Sequence, residues 1–337
     1  MKAMILAAGM GLRMRPLTLV RAKPVLPVLN RPLLHWTLER LARHGVTDVV
    51  VNLHHLPETV TAALGDGQAF GLTIHYSPER RILGTGGGPR AVRGFFGTEP
   101  FLLVNGDVLF DFDLRRLVAR HRSSGARATL ALLPNPDPRV YGPVVTDRSG
   151  AVLSLAERPR RTRGTVSLFT GVHVMDPVLL DLLPEGASDT VLDLYAPLVA
   201  EGGHVAGVRV KGAWYDFGRP TPYRDTQLRL LPGRGRDRAL VHPAAQVSSS
   251  ARLRRSVVGA GARIGAGARV VRSVLWDGAT VEEGALVREA VVVSGGVVGR
   301  NERAEGVAVL PRRALGHGAE AGGRVEYRER MAWVELK

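Results

Sequence analysis

Residues 5–16 read ILAAGMGLRMRP, an apolar strand pattern that runs straight into two glycines and two arginines. A buried strand opening onto a glycine turn is how several nucleotide-binding architectures begin, so this stretch decides the fold class. A dinucleotide fingerprint needs G-x-G-x-x-G, whose third glycine lets helix and strand pack closely. Gly9 and Gly11 are present, but position 14 is methionine. A Walker loop, G-x-x-x-x-G-K-[ST], is also absent. Pro16 would remove a backbone donor from any phosphate-cradling helix that started there. What remains is a turn whose backbone N–H groups can approach anionic oxygens closely. Arg13 and Arg15 add fixed positive charge, and Lys23 follows in a stiff frame, RAKPVLPVLNRP, with prolines at 24, 27 and 32.

Working outward, strand and helix patterns alternate. KAMILAAG reads as a buried strand, RPLLHWTLERLARHG as a helix ending in a C-capping glycine, DVVVNL as a strand and LPETVTAALGDG as a short helix. LTIHYSP, GGGPRAVRGFF, FLLVNGDVLF, DLRRLVARHRSSG and RATLALLP continue the alternation. The order predicts an α/β fold with a doubly wound, mixed but mostly parallel sheet, and ligands at the carboxyl ends of its strands. Beyond residue 135, VYGPVVTD, AVLSLAERP and TVSLFTGVHVM read as antiparallel strands. SDTVLDLYAPLVAEGG reads as a helix, VAGVRVKGAWYDFG as strands and TPYRDTQLRLL as a closing helix. LPGRGRDRA, residues 231–239, reads as a linker.

After it the period changes. Val241, Val247 and Leu253 are six apart, as are Val258, Ile264 and Val270, and Leu275, Val281 and Val287, with glycine and alanine filling the gaps. A hexad with an apolar first position predicts a parallel β-helix of about three coils over residues 240–337, the last part capping it.

Composition bounds the function. The 337 residues allow two domains and a large core, and 45% apolar against 23% charged residues is ordinary for a globular protein. No apolar run approaches a membrane span, and the N-terminal run is too short for a signal-peptide core, which predicts a cytoplasmic protein without membrane partners. The absence of cysteine excludes disulfides and thiolate metal sites. The net charge of +15 is carried almost wholly by arginine, scattered except for the runs at 158–163 and 234–238. No aromatic-studded basic strand or zinc spacing accompanies it, so no nucleic-acid partner is expected. His54, His55 and His317 form no triad.

LAAGMGLRMRPLT…KPVLPV resembles the signature of the sugar-nucleotide pyrophosphorylases, the nucleotidylyltransferases that act on sugar 1-phosphates: glycine loop, Arg13, Pro16-Leu17-Thr18, Lys23-Pro24 and Pro27 fall in order. The resemblance covers roughly residues 1–230, and the hexad tail is similar to the left-handed β-helix of mannose-1-phosphate guanylyltransferases. It implies a Rossmann-like nucleotidyltransferase domain at 1–230, a linker at 231–239 and a β-helix at 240–337, whose flat, repetitive face with small residues offers a docking surface for homo-oligomerisation. It implies that NTP is held by Leu6, Ala7, Ala8, Gly9 and Gly11, with Gly84, Thr85 and Gly86 at the base and Asn105 beside it. Arg13 and Lys23 become the catalytic cations. Asp107, in VNGDVLF, and Asp216, in WYDFGRP, become ligands of Mg2+, a hard ion suited to carboxylates; by itself Asp107 could equally cap the next helix. Gly142 after Tyr141, Glu157-Arg158-Pro159 and Thr170 become sugar contacts, with Arg158 standing where the family has lysine, which is not isosteric. The implied substrates are GTP and mannose 1-phosphate or a related sugar; TGGG and VNGD also resemble uridylyltransferases acting on amino-sugar phosphates, and thymidylyl- and adenylyl-specific members share the same core. Acyl transfer by the tail would want a histidine between coils, and only His242 lies at its edge. A regulatory member would tend to lose Arg13, Lys23, Asp107 or Asp216, and all four are present.

Overall fold

The computed structural model describes residues 1–158, 163–233, 235, 237–316 and 320–337. Pro159, Arg160, Arg161, Arg234, Arg236 and His317, named above, lie outside them. By compactness the chain divides into one unit of Met1–Gly9 and Leu34–Asp216 and another of Met10–Leu33 and Phe217–Lys337.

In chain order the elements are β1 (Lys2–Leu6), the two-residue strands β2 (Pro27–Val28) and β3 (Arg31–Pro32), α1 (Leu33–Arg43), β4 (Asp48–Leu53), α2 (Pro57–Leu64) and β5 (Thr73–Pro78). There follow α3 (Gly84–Ala91), α4 (Arg93–Phe96), β6 (Phe101–Asn105), β7 (Val108–Phe110), α5 (Leu114–Ser124), β8 (Ala128–Pro134), β9 (Pro143–Thr146), β10 (Val152–Leu155) and β11 (Thr165–Met175). Then come α6 (Ala196–Ala200), β12 (Val205–Arg209), β13 (Trp214–Asp216) and α7 (Pro220–Leu230).

The first unit is built on a nine-stranded sheet whose main path runs β10-β9-β11-β6-β1-β4-β5. β1, β4, β5 and β6 are mutually parallel, β11 enters antiparallel to β6, and β9 pairs antiparallel with β11. Parallel strands need crossover helices, which cover both faces, so central strands read as unbroken apolar runs. Ala3, Met4, Ile5 and Phe101 to Val104 are accordingly buried. From β1 the chain steps outward to β4 and β5 and then returns to β1's other side as β6, the strand-order reversal of a doubly wound fold. The segment 190–200, expected as one helix, is a π-helical turn at Thr190–Tyr195 leading into α6, with Asp189 capping it through bonds from the Val191 and Leu192 amides.

In the second unit the hexads stack as expected and further than expected. Val241, Val258, Leu275, Val292 and Val309 line one wall, Val247, Ile264, Val281 and Val298 a second, and Leu253, Val270, Val287 and Ala304 the third. Most of these side chains form one closed apolar core. The fourth coil was hidden because its third wall carries Ala304 where the preceding coils carry valine or leucine. Strand Met331–Glu335 runs antiparallel to Val307–Pro311 and pairs with Val325–Arg328, closing that end. Among the described residues no helix is long and apolar enough to cross a membrane.

His173 lies in the middle of β11, fully buried against Tyr195 and Phe169, and neither ring nitrogen has a partner among the described residues. Burial pushes its pKa from 6.5 to about 3. Between those values the unfolded chain binds a proton that the folded chain refuses. Its contribution is therefore intact above pH 6.5 and lost as pH falls toward 3, by about 1.4 kcal/mol per pH unit. His173→Phe should flatten the acid limb of a stability–pH profile between pH 6 and 4, measured by denaturant unfolding; an unchanged slope would contradict this account.

Candidate active site

The strand reversal sets the carboxyl ends of β1 and β6 side by side. Leu6 pairs with Asn105, and the Gly106 amide donates to the Leu6 carbonyl at 2.9 Å. Connections diverge from such a point and leave a crevice in which ligands of open α/β sheets bind. Ala7 and Ala8 continue the strand direction, both buried, to Gly9, where an added Cβ would meet nothing within 4 Å.

The end of β1 is tied to α3 by a buried relay. The Ala7 amide donates to Asn52 Oδ1 at 2.7 Å, Asn52 Nδ2 donates to Glu79 Oε1 at 2.7 Å, and Glu79 Oε2 accepts the Leu83 amide at 2.9 Å. Neither Asn52 nor Glu79 was singled out from the sequence, although a polar residue ending the buried run VVVNL was a visible signal. Gly84, Thr85 and Gly86 form the first turn of α3. A Cβ at Gly84 would lie 2.4 Å from the Ser188 carbonyl oxygen, and the Gly86 amide donates to that same oxygen at 2.8 Å. The Gly86 N–H is thus engaged within the protein and is not a group that would meet a base. The Thr85 hydroxyl donates to Asp189 at 3.0 Å. These glycines exist at least in part so that α3 can lie against the chain at 186–190.

On the other side of β6, β11 passes antiparallel, with Val172 opposite Val104. The next residue toward the edge is Gly171, with φ +76°, where a Cβ would stand 2.5 Å from Asn105 Nδ2. Thr170 is 1% exposed and its hydroxyl donates to the Ala131 carbonyl at 2.9 Å, so its side chain is turned into the protein. Its carbonyl accepts the Trp214 indole N–H at 2.9 Å, and Trp214 meets Tyr141 edge to face at 5.5 Å. Trp214 therefore pins the backbone of Thr170, next to the Gly171 that meets Asn105.

Both acids lie on one ribbon. β7 and β13 form a two-stranded antiparallel pair in which Asp216 is opposite Val108, so the backbones of Asp107 and Asp216 occupy neighbouring rungs. The capping alternative for Asp107 falls away: Asp113 caps α5, accepting the Arg115 amide, and the Arg115 side chain holds its carboxyl below the usual carboxylate range. Among the described residues no cluster of three or more metal-ligating side chains exists. A carboxylate pair suits a hard divalent cation such as Mg2+ that draws its other ligands from phosphate and water.

Backbone pairing also links the expected sugar contacts. Pro143 pairs with Leu168, and the Ala156 amide donates to the Pro143 carbonyl at 3.1 Å, which brings Gly142, Glu157 and the first half of β11 near one another. Leu155 and Arg158 exchange both backbone bonds, at 3.0 and 2.8 Å, around Ala156 and Glu157, whose φ values are +48° and +62°. Two left-handed residues inside such a closed turn are the pattern of a type I′ hairpin, which normally calls for Asn-Gly. Ala-Glu holds that geometry under strain, and the turn presents Glu157 at its exposed tip.

Gly11, Arg13 and Lys23 belong to the second unit. Gly11 has φ +62°, its carbonyl accepts the Thr18 hydroxyl at 2.9 Å, and a Cβ there would lie 2.7 Å from Thr18 Cγ2 and 3.3 Å from Lys23 Cβ. Three 3-10 turns, Leu12–Met14, Leu17–Leu19 and Lys23–Val25, fold the loop so that the stem of Lys23 rests on the glycine turn, with Arg13 exposed beside it.

The sequence profile described as Nucleotidyl transferase matches residues 2–232, and that described as GMPPB C-terminal domain matches 236–315. The chain is similar to UTP–glucose-1-phosphate uridylyltransferase of Synechocystis, at 37% identity over 66% of this chain and 61% of that one. It is similar to mannose-1-phosphate guanylyltransferase of Mycobacterium tuberculosis, at 35% over 74% and 72%. It is also similar to N-acetylmuramate alpha-1-phosphate uridylyltransferase of Neisseria meningitidis, at 36% over 67% and 97%. The match thus spans about three-fifths of the first of these relatives' length. A crystal structure described as a glucose-1-phosphate thymidylyltransferase from Bacillus anthracis shares the fold, with TM-score 0.59 and 22% identity over 69% of this chain and 97% of that one.

Gly171→Ala should cost about 1–3 kcal/mol through its left-handed backbone and the collision with Asn105. Gly142→Ala, with nothing within 4 Å of an added Cβ, should cost under about 0.5 kcal/mol. Denaturant unfolding of the two variants checks the contrast.

Proposed function

We propose that this chain, which belongs to the sugar nucleotidyltransferase family, transfers a nucleoside monophosphate from an NTP to a sugar 1-phosphate, releasing pyrophosphate. The observation that carries the reading is the β7–β13 ribbon, which sets Asp107 and Asp216 on neighbouring rungs beside the β1/β6 crevice strand that ends in Asn105. An oxygen of the sugar phosphate attacks the α-phosphorus in line. The new P–O bond forms as the bond to the β-phosphate oxygen breaks, and pyrophosphate departs with the electron pair. No protein nucleophile is needed, so catalysis is positioning and charge neutralisation. Arg13 binds the departing β- and γ-phosphates. Lys23 holds the α-phosphate and the attacking phosphate together. Leu6, Ala7, Ala8, Gly9 and Gly11 line the nucleotide with backbone, Gly84 and Thr85 flank the base, and Glu157 accepts sugar hydroxyls next to Gly142 and Arg158. Asp107 and Asp216 would hold a divalent cation, whose charge offsets that of the phosphates when it is bound.

GTP and mannose 1-phosphate are the favoured substrates. Their support is the tail's match to the GMPPB C-terminal domain and the mycobacterial guanylyltransferase, whose similarity extends over 261 residues. UTP is the second reading, supported by the 37% and 36% identities to two uridylyltransferases. Incubating the protein with each NTP and a panel of sugar 1-phosphates, and following pyrophosphate release, tests both. GTP with mannose 1-phosphate should give the highest kcat/KM, and higher turnover with UTP and a glucose or amino-sugar phosphate would move the assignment to the second reading. Lys23→Ala and Asp107→Ala should each lower turnover roughly 100-fold or more with the melting temperature little changed. Near-normal synthesis by either variant would refute its assigned role.

A further inference from the structure

The loop that carries Arg13 and Lys23 has almost no regular structure of its own, only single 3-10 turns and a two-residue hairpin. Its order comes from what it is fastened to. Arg21, two residues before Lys23, donates from one Nη to both carboxylate oxygens of Asp277 at 2.6 Å and to the Ser294 hydroxyl at 2.8 Å, and its guanidinium lies 5.4 Å from the Trp276 ring centroid. Asp277 and Ser294 stand on successive coils of the β-helix. Trp276, 1% exposed, donates its indole N–H to the Tyr223 hydroxyl at 3.1 Å, and that hydroxyl donates onward to the Pro27 carbonyl of the loop. Asn30 donates to the Val258 carbonyl at 2.8 Å, and the Leu29 amide to Gln227 of α7 at 2.9 Å. On the other flank Arg15 donates to the Glu320 carbonyl at 3.1 Å. Every one of these partners lies in α7, the solenoid or its cap.

We propose that Arg21, through its clamp on Asp277 and Ser294, is a positioning residue for Lys23, so that the β-helix sets the geometry of the phosphate-binding cations in addition to any part it plays in assembly. This rests on the function proposed above for Arg13 and Lys23. The side chains of Arg21 and Asp277 are 25% and 46% exposed. Ion pairs with that much solvent contribute little to global stability, so the consequence of the clamp is where the loop is held rather than whether the chain folds. Because the pair is screened by solvent, its hold should also weaken with salt.

Asp277→Ala and Arg21→Ala in the full-length chain should lower kcat/KM about 10-fold to 100-fold, with KM for NTP raised more than kcat is lowered and the melting temperature within a few degrees of wild type. Asp277→Glu should recover most of the loss. Amide exchange at Met14, Leu19, Val20 and Val25, whose N–H groups close the loop's turns, should accelerate at least 10-fold in both alanine variants while β1 and β6 amides keep their protection. Unchanged KM and unchanged loop exchange would overturn the proposal, as would a uniform loss of protection throughout the chain. Failure of the wild-type protein to turn over any NTP and sugar 1-phosphate pair would overturn the proposed reaction instead, and leave the exchange result to judge the clamp.

Discussion

Everything at the candidate site depends on β1 being paired in parallel on both sides, with β4 and with β6. A strand buried on both faces and bonded along both edges has no freedom to shift its register without exposing its apolar set. Its carboxyl end is therefore a fixed point. The chain leaves it through Ala7 and Gly9 on one side of the strand reversal, and β6 delivers Asn105 and Asp107 on the other. A strand-order reversal of this kind is where ligands of open α/β sheets bind.

The polar groups around that fixed point are organised by bonds that would be costly to leave half made. Asn52 and Glu79 are buried, and each hands a hydrogen bond to the next from the Ala7 amide to the Leu83 amide. In a low-dielectric interior such a chain is worth having only when every member is satisfied, which makes it a rigid strut between β1 and α3. Gly171 and Trp214 do the corresponding work on the opposite flank. One lets β11 come within contact of Asn105, and the other pins the Thr170 carbonyl.

The solenoid has a different character. Its coils bury the wall valines, leucines and isoleucine together with the intervening alanines in one core, leaving the outer positions to carry specific contacts. Two of these, Asp277 and Ser294, reach the loop between Met10 and Leu33. A loop of that length without regular structure loses backbone entropy of about 1–2 kcal/mol for each residue it orders. A stacked coil with a continuous apolar core is a suitable brace for such a segment.

Local patterns in the sequence were enough to determine most of the element types and their sequence order. KAMILAAG and FLLVNGDVLF are apolar runs bounded by glycine, LERLARHG carries its own C-cap, and the hexads announce a coil because a repeat of six needs no distant information. The glycine loop with Arg13 and Lys23 was legible for the same reason. Not legible were the fourth coil, masked by Ala304, the π-helical turn at Thr190–Tyr195, and Asn52, Glu79 and Trp214, whose roles exist only through partners elsewhere. That Thr170 turns its hydroxyl inward and that Arg21 is clamped by Asp277 were likewise decided by tertiary structure alone. The sharpest case is the ribbon that sets the backbones of Asp107 and Asp216 on neighbouring rungs: pairing between segments so far apart is decided by tertiary structure, and no periodicity along the chain encodes it.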